Sequence, residues 1–255
     1  MATNIAIINA STVLKDADVQ AVVPALQKQV LNDFAPVFGT SASLAFYSQS
    51  VAPPAGTWWI SVLDNADQAG ALGYHDLTNE GLPLAKVFAA SDIQSKSSWS
   101  VTISHELLEM LADPDITLSA FAQTNDTTGQ LYAYEVCDAC EDDQYGYQID
   151  GVLVSDFVYP SWFESFQKPN ATQFDHQNRI TQPFQLLAGG YIGVFNVTGG
   201  SGWTQKTGET AAARYSSREG VGSRRERRRI PRSQWLNSKV EFSGARGPFR
   251  LSLVQ

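Results

Sequence analysis

Apolar residues first gather at Asn4-Ile5-Ala6-Ile7-Ile8-Asn9, a short run closed by Ala10-Ser11-Thr12, which predicts a buried strand followed by a turn. From about Asp18 the spacing lengthens. Val19, Val22, Val23, Leu26, Val30, Phe34 and Val37 recur every three or four positions, the period of one helix face. Pro24 falls early enough to be tolerated, and Gly39 supplies the stop. Ser43 to Tyr47, Trp58 to Leu63, Ala71 to His75 and Leu84 to Ala89 read as four further strands, the breaks including Pro53-Pro54-Ala55-Gly56 and Asp64-Asn65-Ala66-Asp67. A Ser-rich stretch, Ser91 to Ser98, offers N-caps for a second helix over Trp99 to Ala112, ended by Asp113-Pro114.

Beyond Pro114 the period shortens to two. Leu131 to Cys137 and Tyr147 to Phe157 predict hairpin strands around turns at Asp142-Asp143 and Asp150-Gly151, and Tyr191 to Val197 lies between two Gly-Gly pairs as one more strand. From Arg214 the chain is poor in apolar residues and reads as a solvated arm. The sum is an α+β protein with helices in its first half and a β-rich second half.

The chemistry concentrates in the second helix, at Ser104-His105-Glu106-Leu107-Leu108-Glu109. Residues four apart share a helix face, so His105 and Glu109 can address one ion while Glu106 stands about a hundred degrees round, beside His105. In the His-Glu-x-x-His form of such a helix two imidazoles bind zinc and the intervening Glu is general base toward the metal-bound water. Here Glu109 replaces the second His, which keeps zinc plausible but makes the metal a weaker Lewis acid. The pentapeptide alone reads equally as a surface stripe of two carboxylates and a histidine.

Its context favours the metal. The order strand, helix, several strands, then this helix resembles the N-terminal half of the zincin metallopeptidases, in which the strand before last is the sheet edge that pairs with an extended substrate. Ala71-Leu72-Gly73-Tyr74-His75 would fill that place. Asp113-Pro114 after the helix, and Glu135-Val136-Cys137-Asp138-Ala139-Cys140 further on, resemble a pattern of zincin-like proteins of bacteria and their phages over roughly residues 1 to 200. The resemblance implies a zincin-like N-terminal half (1–115) with a mixed twisted sheet and two main helices and a β-rich half (116–210) completing the site; composition adds a basic arm (211–255). The resemblance also implies a zinc-dependent hydrolase acting on peptides or proteins, with Glu106 as catalytic base and a downstream Glu completing the site.

A catalytic zinc takes three protein ligands. Besides His105 and Glu109, Glu135 is the first candidate by that analogy and Asp138 the close alternative, either being able to orient His105 instead of ligating. Asp115 has the spacing of a third ligand in some zincins but lacks their turn glycine. A set of one imidazole and two carboxylates also admits manganese or calcium. His75, on the proposed edge strand, can face the cleft, and His176 can arrive late in the chain as a ligand, although both residue types are more often structural.

Cys137 and Cys140 have redox or zinc-knuckle spacing, but no second such pair exists and the segment reads as strand, so a half-buried pair of thiols is expected. Glu141-Asp142-Asp143 reads as a solvated turn before a calcium site, and Trp58-Trp59 and Trp162-Phe163 with Phe166 read as core or interface.

Charge adds one asymmetry. Residues 1–213 hold 7 Lys+Arg against 23 Asp+Glu and residues 214–255 hold 11 against 3, so an acidic body near −16 carries a basic tail near +8. The body is unsuited to nucleic acid; the Arg224–Arg232 region suits phosphate contacts or assembly with other copies. With 43% hydrophobic and 17% charged residues wholesale disorder is excluded. No apolar run approaches bilayer length and the N-terminus lacks a basic leader, so a cytoplasmic or virion-associated protein without membrane contact is expected. The rival functional reading is a non-catalytic virion component keeping the same fold.

Overall fold

The computed structural model describes residues 3–67, 71–78, 80–199 and 202–208. Five strands, β1 (Thr3–Asn9), β2 (Ala42–Ser48), β3 (Trp58–Leu63), β4 (Gly73–Leu77) and β5 (Pro83–Phe88), form a mixed sheet in the order β2-β1-β3-β5-β4. The first four in that order are parallel, and β4 runs antiparallel to β5 at the edge. Near-continuous apolar runs suit such strands because both faces are covered. Ile5, Ile7, Ile60, Val62 and Val87 meet the helices, while Ile8, Trp59, Leu84 and Phe88 form a separate cluster on the other face.

The predicted first helix is one rod with a wider turn inside it: α1 (Asp16–Lys28), a π-helical turn Gln29–Phe34, and α2 (Ala35–Phe38). It ends at Gly39 in the left-handed region (φ 68), whose N–H bonds Ala35 O at 2.9 Å. The π turn opens on Gln29, a fully buried amide. A short helix, α3 (Ala89–Ser95), occupies part of the Ser-rich stretch, so β5 ends one residue before the expected Ala89.

Helix α4 (Trp99–Ala112) spans the predicted residues. Ser98 precedes it, but its hydroxyl pairs with Ser100 Oγ at 2.9 Å instead of capping a backbone N–H. The helix is buried almost all round, packed on β3, β4 and β5 and covered by the second half of the chain. Asp113 terminates it by turning its carboxylate onto the N–H groups of Thr117 (2.9 Å) and Leu118 (2.8 Å).

The second half contributes β6 (Ser119–Asn125), β7 (Thr128–Ala133), β8 (Tyr147–Ile149), β9 (Val152–Val154), β10 (Tyr191–Asn196) and β11 (Trp203–Thr207). Four of them make an antiparallel sheet in the order β11-β10-β7-β6, and β8-β9 is a hairpin turning at Asp150-Gly151, both with positive φ. The expected strand Leu131–Cys137 stops at Ala133, because the backbone then finds other partners. Val136 O accepts from Val158 N (2.7 Å) and Cys137 N–H donates to Glu109 Oε1 (3.2 Å). Likewise the run Tyr147–Phe157 holds a complete hairpin and its ladder ends at Val154. β6, polar at Gln123-Thr124-Asn125, has no apolar alternation by which to predict it.

One cluster of buried side chains runs from Ile5 and Leu107 to Phe157, Trp162 and Val194. Trp59, Trp162 and Phe163 are core residues, whereas Phe166 is 75% exposed. Among the described residues no helix is long and apolar enough to cross a membrane. The basic arm, with Arg224–Arg232, lies outside the described residues.

Candidate metal centre

Strand alternation aims β4 at α4. Tyr74 lies on the far face of the sheet, where its hydroxyl donates to Asp67 Oδ2 (2.7 Å) beside Lys86, so its neighbours Gly73 and His75 face the helix. Gly73 permits the close approach. A Cβ there would stand 2.8 Å from Thr102 Cγ2 and 2.9 Å from Glu106 Cγ. On α4 the i,i+4 relation presents His105 and Glu109 together, with Glu106 turned toward β4. The third contributor is the segment that leaves β7 early, bringing Glu135, Cys137 and Asp138 over the helix, the last in a 3-10 turn Asp138–Cys140.

These side chains converge. His105 Nε2 lies 3.2 Å from Glu109 Oε1 and 3.3 Å from Asp138 Oδ1. His75 Nδ1 lies 3.4 Å from Glu106 Oε2 and 3.5 Å from Glu109 Oε2, and its Nε2 is 3.8 Å from Glu135 Oε2. Donor atoms of His105, Glu109 and Cys137 all fall within 4.8 Å of one another, as do those of His75, Glu109 and Glu135. Exposure is 0% for His75 and Glu109 and at most 7% for the other carboxylates and His105.

Burying so many ionisable groups is costly unless a compensating charge is present. The donor set fits a divalent ion: with bonds of about 2.0–2.2 Å, tetrahedral ligands sit about 3.3–3.6 Å apart, close to the shorter separations here. Imidazole nitrogen, carboxylate oxygen and one thiol sulfur are donors that zinc accepts.

The electrostatics of the protein without metal agree. Burial disfavours the imidazolium of His105, but the Glu109 charge, hydrogen bonds to Asp138 and Glu109, and Glu106 together raise its pKa well above the ordinary value. Burial, followed by the Glu109 charge, pushes the Cys137 thiol well up, so it is held protonated until a cation displaces the proton. Glu141 is pushed up to about 8 by burial, against the His105 charge and a hydrogen bond from Tyr191 and with help from Asp138. It stays largely neutral at pH 7.

A second layer fixes α4. Ser104 Oγ donates to Gln29 Oε1 (2.6 Å) and accepts from Ser155 N (3.0 Å), while Gln29 Nε2 donates to Ser155 O (2.9 Å). On the other side Thr102 Oγ1 donates to the buried Asp92 Oδ1 at 2.8 Å. Burial pushes Asp92 to about 8.

No known family model matches the chain, and neither a curated protein nor a solved structure does. The centre therefore stands on its own geometry.

The structure brings together His105, Glu106, Glu109, Glu135 and Asp138. It places Asp138 at His105 and Glu135 at His75, a division that spacing alone does not reveal. Asp115 is exposed on the loop after α4 and belongs to neither donor group. His176 is also elsewhere, stacked on Phe157 (centroids 5.1 Å apart), with Nδ1 3.2 Å from Tyr159 OH and its pKa lowered by burial. Cys137 and Cys140 are fully buried, not half-buried, and lie at a 3-10 turn, not in a strand. Of Glu141-Asp142-Asp143, Asp142 and Asp143 accept backbone N–H groups of Gln144 and Ser98, and Glu141 turns inward. His75, expected to be able to face the cleft, does so; neither it nor Cys137 was in the expected ligand set. The signal for His75 was its place opposite Tyr74 on an edge strand; for Cys137 it was adjacency to Asp138.

Proposed function

We propose that this protein is a metal-dependent hydrolase of the zincin type, with a divalent ion, zinc first, held by His105, Glu109 and a carboxylate of the Glu135–Asp138 segment. The observation that carries this reading is the grouping of His105, Glu109 and Cys137 donor atoms within 4.8 Å of one another inside the molecule, with Asp138 Oδ1 3.3 Å from His105 Nε2. A divalent ion in such a site polarises a carbonyl oxygen and acidifies water. Glu106, one residue from His105 and on the β4 side, takes the proton from the attacking water and passes it to the leaving amine. His75 Nδ1, 3.4 Å away, orients that carboxylate. A peptide is the favoured substrate, because β4 is an antiparallel edge strand beside Glu106 to which an extended chain can add.

The test is hydrolysis of an unfolded protein by zinc-loaded full-length chain. Glu106→Gln is expected to lower turnover by about two to four orders of magnitude while zinc uptake is kept. Failure of the wild-type protein to take up any transition metal would sink the reading. A second reading, a non-catalytic component such as a virion protein stapled by a buried ion, is favoured by one fact: the side chains of His75 and Glu109 are fully buried. Stoichiometric zinc uptake with no hydrolysis by the wild type selects it.

A further inference from the structure

Glu109 divides its carboxylate between two histidines. Oε1 faces His105 Nε2 at 3.2 Å and Oε2 faces His75 Nδ1 at 3.5 Å. Each imidazole also has a carboxylate of its own, Asp138 for His105 at 3.3 Å and Glu135 for His75 at 3.8 Å. The two donor groups, His105–Glu109–Cys137 and His75–Glu109–Glu135, share Glu109 and nothing else, and the two histidines fall in separate groups.

A single ion does not account for this division. Donors on one zinc lie no further apart than twice the bond length, about 4.2 Å, and the histidines belong to groups drawn at the looser limit of 4.8 Å. Glu106, Glu109, Glu135 and Asp138 bring four carboxylates into a space where none is more than 7% exposed. A carboxylate with one oxygen toward each of two nitrogen donors is the bridge such a pair needs, and paired ions of hydrolytic sites stand about 3.5–4 Å apart.

We propose that the centre binds two divalent cations bridged by Glu109. One is held by His105 and Cys137, with Asp138 beside that imidazole, the other by His75 and Glu135, with Glu106 at the edge of the second. The first group includes a thiol and prefers zinc or cobalt; the second offers only nitrogen and oxygen donors and also accepts manganese. The inference rests on the metal reading above and adds to it a second ion, a bridging residue and a role for the edge strand.

The full-length chain, stripped with chelator and dialysed against zinc, is expected to retain two equivalents by elemental analysis, and His75→Gln one. In a cobalt titration of the wild type, which needs no variant, the electron paramagnetic resonance signal of the first ion is expected to weaken as the second enters, because bridged ions couple. Saturation at one equivalent overturns the two-ion proposal and leaves the single-ion reading standing. Two equivalents without magnetic coupling overturn the bridge. No uptake overturns both readings at once.

Discussion

Two groups of buried carboxylates, both close enough for Cys140 to feel their charge, are built on different rules. Around Asp156 and Asp175 the backbone supplies the partners: Phe157 and Gln177 N–H donate to Asp156 Oδ1 (2.8 and 3.2 Å), and Ile180 and Arg179 N–H to the two oxygens of Asp175 (2.8 and 2.9 Å). Arg179 adds a cation 3.6 Å from Asp156. At the candidate metal centre Glu109 also accepts one backbone N–H, from Cys137, but the carboxylates are in addition turned toward imidazoles, several of them from other elements. Backbone donors hold a loop in shape and belong to the fold. Carboxylates and imidazoles facing one another suit a cation that joins them, so the first group is a structural knot and the second the binding site proposed above.

The comparison breaks first at Glu109. Glu109→Ala is expected to weaken zinc uptake by more than about 100-fold, read by equilibrium dialysis, since it removes a ligand and not merely a supporting group. Retention of tight uptake would place the ion elsewhere. Asp175→Ala is expected to leave uptake intact and to cost about 2–4 kcal/mol in denaturant unfolding, because it strands two buried N–H groups. Loss of metal with no loss of stability would reverse the two assignments.

A subtler difference lies in pH. Burial and the neighbouring Asp175 charge push Asp156 from 3.8 to about 8. The folded state therefore binds this proton more tightly than the unfolded chain, so the stabilisation is fully present below pH ~4 and is lost as pH rises through about 8. Asp156→Asn imitates the protonated acid. It is expected to match the wild type below pH ~4 and to melt progressively higher than the wild type as pH rises from ~4 to ~9, with no change in zinc stoichiometry. The smallest effect is expected from His176→Ala, which loses a ring stack and one hydroxyl contact at about 1 kcal/mol and leaves uptake unchanged.

Much of the fold was legible because its signals are local. β1, α4 and the Asp150-Gly151 hairpin follow from apolar period and turn residues within a short window, and α4 coincides with the predicted range. His105 and Glu109 were legible for the same reason, since one turn of helix relates them. What escaped depends on distant partners. The exit of Tyr134–Cys137 from its strand is set by Glu109 and Val158, and which face of β4 meets α4 is set by the pairing of the whole sheet. His75 could thus be read as able to face the cleft, but which carboxylates it meets is set by that pairing.

The π turn at Gln29 has a consequence for how the proposed centre would respond to an ion. Through Gln29, Ser104 and Ser155 the first helix and the β9 end are tied to α4 one residue before His105, by three bonds of 2.6–3.0 Å. These bonds fix the phase of α4 about its own axis, so His105 and Glu109 cannot swing apart without breaking them. The ordering entropy of these two side chains is therefore already lost when the chain folds, and capture of the proposed ion would require little backbone rearrangement. Loosening that tie, for example with Gln29→Ala, would make uptake slower and weaker while leaving the donors themselves untouched.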